Sequence, residues 1–277
     1  ALIVALMLVT GWTVLSPVLG TGYYADDLHN SQRSAVLDAE DQSVWEHSIE
    51  STRQWMKGQG RFFPVSALEN SLVFNTVHDR AVYKALQVTA GAAMATLLGA
   101  LVALLTRNRQ VGLLVGLLSL PGLQLRYWYD SIHSFGILLP SLAIKFLVVL
   151  LLLLLGLRSA HRGRAILAFA AAGLVWTAGL LQYEITYFLA PLPLLLIWHE
   201  RCPERWQRWA AAGSVIVPTF LLANYVATLR SAATPAPAYT TNLALEHMVP
   251  AAVYQVVGAI PGSAALFAAG VPSVSTL

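Results

Sequence analysis

Residues 135–157 read FGILLPSLAIKFLVVLLLLLLGL, with Lys145 as their one charged side chain. A helix needs about 20 mostly apolar residues to cross the hydrocarbon core of a bilayer. This stretch meets that length, and its uninterrupted leucines leave no polar face to turn towards water. The same criterion applied outward finds about eight segments: 2–20, 83–106, 110–125, 135–157, 165–182, 185–198, 209–229 and 248–270. The third and sixth are short, which suits tilted or broken helices. The expected fold class is therefore all-α, a polytopic membrane protein in a single membrane domain over 1–277.

Composition excludes the alternatives. Of the 277 residues, 57% are hydrophobic and only 11% charged, against roughly 25% in ordinary soluble domains. Disorder is excluded by the aliphatic content and a net charge of only +3. The lone Cys202 excludes an internal disulfide framework and a cysteine-rich metal site. A basic pI of about 9.1 points away from nucleic acid here, because the arginines sit in short loops between apolar runs. The opening run, from Ala1 to Gly20, lacks the basic leader and small-residue cleavage site of a signal peptide. Starting at Ala1 and stopping at Leu277, the chain is expected to lack residues at either end.

Loop charges predict orientation. Arg107 and Arg109 fall in one short loop, Arg158, Arg162 and Arg164 in a second, and Arg201, Arg205 and Arg208 in a third. The positive-inside rule puts these three on the cytoplasmic side of a bacterial-type plasma membrane. The segments 21–82, 126–134, 182–186 and 230–246 then share the outer face.

The first outer loop, 21–82, is far longer than the rest, and it holds nine of the fourteen acidic residues. Loops of this length usually have a role. Ser43-x-x-Glu46 and Ser66-x-x-Glu69 match the capping box, predicting juxtamembrane helices over about 40–57 and 65–80. Trp45, Ile49, Thr52, Trp55 and Met56 recur at helical spacing after the first box. Two such amphipathic helices suit the membrane interface, where indole rings are comfortable. A small cap packed on itself is the alternative.

Four carboxylates converge on this face. Asp26 and Asp27 open the loop, Asp130 follows the third span, and Glu184 sits between the fifth and sixth spans with almost no polar loop around it. Ionisable groups at membrane depth are expensive and mark candidate functional sites. Lys145 is the other such group; a snorkelling stem is its structural alternative. Arg126, Arg33 and Arg61 are candidate phosphate ligands, since a guanidinium matches phosphate oxygens in a fork. His29 follows Asp26 by three residues, so the two would face one divalent cation on a helical turn. No zinc-protease spacing, nucleophile elbow or P-loop is present.

One span, a loop opening on Asp26-Asp27, two juxtamembrane helices and a run of further spans together resemble the GT-C superfamily of integral-membrane glycosyltransferases. The stretch Gly60-Arg61-Phe62-Phe63-Pro64 is also similar to a first-loop segment of some such proteins. These 277 residues depart from larger members in showing no substantial C-terminal extramembrane domain, a departure that a truncated C-terminus would explain, and acceptor recognition is left open. The resemblance implies a polyprenyl-phosphate-linked sugar donor and an early acidic residue, Asp26 or Asp27, as catalytic base. On that reading Arg126 or Lys145 holds the lipid phosphate, while Asp130 and Glu184 bind sugar hydroxyls. Tyr127, Trp128, Tyr183 and Tyr187 stack on sugar or polyprenyl, with His29 and Arg61 nearby. Two other classes compete. One is a non-catalytic accessory subunit that docks partner membrane chains through the long loop. The other is a secondary transporter using Lys145 and Glu184, against which stands the absence of an internal repeat.

Overall fold

The computed structural model describes residues 2–23, 26–122 and 137–232. Among the described residues the structure is helical, without strands. Helix α1 (Leu2–Leu15) runs into a 3-10 turn at Ser16–Gly20. The long loop then forms α2 (Asp26–Asn30), α3 (Arg33–Ala39), α4 (Val44–Gln59) and α5 (Pro64–Thr76). The membrane region continues with α6 (Arg80–Thr106), α7 (Arg109–Gly122), α8 (Leu138–Leu157) and α9 (Arg162–Leu180). It closes with the short α10 (Ile185–Leu189), then α11 (Pro191–His199) and α12 (Arg205–Ala232).

Among the described residues, five stretches are long and apolar enough to cross a membrane: Ile3–Gly20, Arg80–Thr106, Leu138–Leu157, Arg162–Leu180 and Arg205–Ala232. Helices α7 and the α10–α11 pair are apolar but shorter, as their sequence lengths predicted. The segment 248–270 lies outside the described residues. Leu167, Leu174 and Phe220 stand 72%, 74% and 66% exposed. Such apolar surface along whole helices would be a liability in water and is the normal exterior of a protein solvated by lipid.

Packing follows from small residues. A Cβ on Gly11 would lie 2.8 Å from that of Ala92, so α1 and α6 approach closely. A Cβ on Gly112 would meet Gly99 O and Ala103 Cβ at 2.4 Å, and one on Gly116 would strike Met7. Gly112 and Gly116 form a G-x-x-x-G face that lets α7 lie directly on the α6 backbone. One apolar core joins α1, α6 and α7 through Leu15, Val88, Ala95 and Leu120. A second joins α8, α9, α11 and α12 around Leu153, Phe169, Trp176, Ile197 and Val215. Leu101 of α6 bridges the two by packing with Leu150 and Leu154.

The loop helices refine the sequence reading. Helix α4 begins with the expected capping box: Ser43 Oγ accepts from the Glu46 amide, and Glu46 accepts from the Ser43 amide. Its end is Gly60, at φ 60°, where a side chain would be strained. The second box does not form. Pro64 occupies the first turn of α5 with Phe63 as N-cap, because its fixed φ suits the start of a helix. Ser66 is thereby placed inside the helix, and Glu69 is released for another role. The helix ends at Thr76, earlier than expected, and Asp79 caps α6 by accepting from the Ala81 and Val82 amides.

On α4, Trp45 and Ile49 are exposed, while Ser48 and Thr52 are buried. Their hydroxyls bond back to the Val44 and Ser48 carbonyls. The helix thus turns Ser48 and Thr52 inward and the Trp45 indole outward, while Trp55 packs against Phe63 of the same loop.

Candidate functional site at the long-loop end of the bundle

Three polar clusters occupy the end of the bundle where the long loop sits. The first surrounds Asp27, which is 3% exposed. Its Oδ2 accepts from Gln87 Nε2 at 3.2 Å, tying α2 to α6. Gln87 and Lys84 are three residues apart and share a helix face; both are fully buried, as is Tyr83. The Lys84 ammonium lies 5.7 Å from the Tyr83 ring centre. Tyr23, Phe74 and Tyr83 form an aromatic wall, with ring centres 4.9 to 6.5 Å apart. Burial, followed by the negative charges of Asp79 and Asp27, raises the Tyr23 phenol above its ordinary pKa. Buried charges survive only when paired or hydrogen-bonded, so this is an assembled polar site and not a solvated loop start.

The second cluster centres on Lys145. Its Nζ donates to Glu69 Oε1 at 2.5 Å and to Gln182 Oε1 at 2.8 Å. Ser141 Oγ donates to Glu69 Oε2 at 3.0 Å, and Gln182 Nε2 donates to Ser141 Oγ at 2.6 Å and to the Leu138 carbonyl at 3.0 Å. Helix α8 starts at Leu138, so Lys145 lies only two turns in and reaches the loop helix α5 directly.

The third cluster is built on Glu184. Arg61 Nη2 lies 3.3 Å from its Oε2, and Arg230 Nη2 donates to its Oε1 at 2.6 Å. The Arg61 guanidinium also sits over Phe63 at 4.3 Å, Trp55 at 5.5 Å and Tyr183 at 5.8 Å. Phe63 and Tyr183 stack at 5.7 Å and 23°. The expected Glu184, Arg61 and Tyr183 are therefore brought together, locking the Gly60–Pro64 stretch onto the α9–α10 turn. The amide of Val65 donates to the Leu181 carbonyl at 3.2 Å in the same seam.

The remaining candidates are placed less fully. Asp26 and His29 lie on α2, but their side chains are outside the described residues, as are Asp130 and Arg126 with Tyr127 and Trp128. Arg33 stays in the loop: its Nη1 donates to His47 Nε2 at 3.0 Å and its Nη2 to Asn30 Oδ1 at 2.5 Å. No group of three or more histidine, cysteine or acidic residues suited to a metal occurs among the described residues.

Lys84, Gln87, Glu69, Gln182 and Arg230 were not singled out for a site in the sequence. Lys84 stands near the start of a long apolar helix and reads as a boundary residue. Glu69 was absorbed into an expected cap. The missed signal in both cases was an ionisable residue facing the same end as Asp27.

The class defined by this arrangement is a helical membrane protein whose long loop folds into helices and contributes a buried carboxylate, Asp27. No protein-family model, curated protein or solved structure matches the chain.

Proposed function

We propose that this protein transfers a sugar from a polyprenyl-phosphate donor to an acceptor at the outer face, in the manner of GT-C glycosyltransferases. The observation that carries the reading is the buried Asp27 carboxylate at the start of the long loop, held by Gln87 one helical turn from the buried Lys84. The topology is about eight spans, with the arginine-bearing loops cytoplasmic and 21–82 outside. The outward-facing Trp45 and Ile49 support an interfacial seat for α4.

Chemically, the acceptor oxygen attacks the anomeric carbon as the bond from that carbon to the phosphate oxygen breaks. The configuration inverts and the lipid phosphate departs with the bonding pair. Asp27 takes the acceptor proton, acting as general base. A cation stabilises the leaving phosphate, and Lys84, fully buried on the same helix face as Gln87, the donor to Asp27, is the group assigned to that task. Asp26, one residue before, orients the acceptor.

A second reading is an accessory subunit. It is favoured by the engagement of Lys145, Glu184 and Arg61 in ion pairs that fasten the loop to the bundle. The test is sugar transfer in membranes from a panel of radiolabelled polyprenyl-phosphate sugars, comparing wild type with Asp26→Asn, Asp27→Asn and Lys84→Gln. Loss in Asp27→Asn with normal insertion is expected. If no donor is consumed, the catalytic reading fails. Copurification of partner chains that is lost when Trp45 and Ile49 become serine would then establish the accessory role.

A further inference from the structure

The opposite end of the bundle carries a built feature that the outer site does not use. Arg158 of the α8–α9 connection donates to Glu200 in a two-pronged pair at 3.1 and 3.0 Å and to the Leu104 carbonyl at 2.8 Å. Arg208 donates to the Glu200 carbonyl at 3.2 Å. These bonds draw the three arginine-rich connections to one end. Two grooves open beside them. One, of about 480 Å³, runs between α1, α6 and α7 past Ile3, Met7, Gly99, Ala103 and Leu113. The other, of about 460 Å³, is lined by Arg107, Arg109 and Arg158. Both share Ala100, Ala103 and Arg109, so they meet.

We infer that this continuous groove binds an anionic glycerophospholipid of the leaflet at the arginine-rich end, its phosphate at Arg107 and Arg109 and one acyl chain along α6. Length supports this occupant. From Thr96 to Arg107 a helix rises about 16 Å, roughly half of a 30 Å hydrocarbon core and hence one leaflet. Charge supports it too. Glu200 forms its close ion pair with Arg158 and also feels the Arg107 charge, while Arg107 and Arg109 are exposed and form no ion pair within 4.0 Å among the described residues. Guanidinium groups suit phosphate oxygens, and basic pockets between membrane helices hold acidic headgroups.

The test is co-retention of lipid by the full chain in detergent, read by native mass spectrometry, with phosphatidylglycerol against phosphatidylcholine of identical chains. Preferential retention of phosphatidylglycerol by roughly tenfold or more is expected, the size two arginines at a headgroup supply. R107Q/R109Q should fall to the phosphatidylcholine level. Ala100→Phe, which fills the shared floor, should lose both lipids. R164Q/R201Q removes the same charge from exposed arginines at the same end and should retain phosphatidylglycerol like wild type. Equal loss in that control overturns the site in favour of diffuse surface attraction. Phosphatidylglycerol held no better than phosphatidylcholine overturns it outright. Displacement by glycerol 3-phosphate as effective as by the lipid refutes the apolar half. Unchanged helical circular dichroism in each variant separates lost binding from lost folding.

Discussion

Replacing Lys145 with methionine tests how the long loop is fastened to the bundle. The pair with Glu69 is short, at 2.5 Å, and the two side chains are 20% and 29% exposed. Freely exposed pairs contribute about 0–1 kcal/mol, whereas removing one member of a buried pair costs about 3–5 kcal/mol. A pair mostly withdrawn from water falls between, at about 2 kcal/mol, or roughly a thirtyfold change in the folding equilibrium. Lys145→Met strands Glu69 with only the Ser141 hydroxyl and leaves Gln182 Oε1 without its donor. Glu69→Gln should cost a similar amount, since it leaves a cation facing amides. The double variant Lys145→Met/Glu69→Leu removes both charges, so its loss should match one single variant and not their sum. The measurement is equilibrium unfolding in micelles followed by tryptophan fluorescence, closed as a double-mutant cycle. Additive losses to within about 0.5 kcal/mol would refute the contact, and negligible single losses would show a solvated pair. The proposed activity gives a separate check: a phosphate-holding Lys145 would lower transfer when replaced, while Glu69→Gln would spare it.

Gly112→Ala should destabilise the protein by about 1–3 kcal/mol, because the new methyl meets the Gly99 carbonyl and Ala103 backbone, which cannot rotate away. Gly213→Ala, with nothing within 4 Å of its Cβ, should be neutral or gain up to about 1 kcal/mol from helix propensity; equal losses would refute close α6–α7 packing. Ser43→Ala should cost about 1 kcal/mol through the lost cap, seen as faster amide exchange in the first turn of α4. His47 gives the pH dependence. Burial, then the Arg33 charge, lowers its pKa below the ordinary 6.5, with Glu40 opposing. Arg33 can only donate, so His47 Nε2 accepts and the ring is neutral, with Nδ1 donating to Gln42 Oε1. The unfolded chain therefore binds more protons as pH falls, and the contribution is present above pH 6.5 and lost as pH drops through the lowered folded value. Amide protection factors in α3 and α4, corrected for the base-catalysed intrinsic exchange rate, should fall from pH 7.5 to 5.5, and a slope unchanged in His47→Gln would contradict this.

Local order was legible wherever one turn of chain contains its own cause. The Ser43–Glu46 box and the Gly60 stop are satisfied within α4, and apolar runs of sufficient length become helices whatever their neighbours. Ser66–Glu69 misled because Pro64 starts the helix two residues sooner, a competition that spacing alone does not weigh. The sequence placed Glu184, Arg61 and Tyr183 at one end by loop parity, and they do meet.

What sequence determined by itself was the solvent. With so few charges and so many leucines, backbone polar groups must be satisfied internally, which forces helices. The partners of each buried charge were decided only by tertiary structure. Asp27 with Gln87 spans 60 positions, Lys145 with Glu69 spans 76, and Glu184 with Arg230 spans 46. No local pattern encodes such pairings, because they depend on how far each helix slides and rotates against the next. That register is set at glycine and alanine contacts, where the absence of a side chain carries the information.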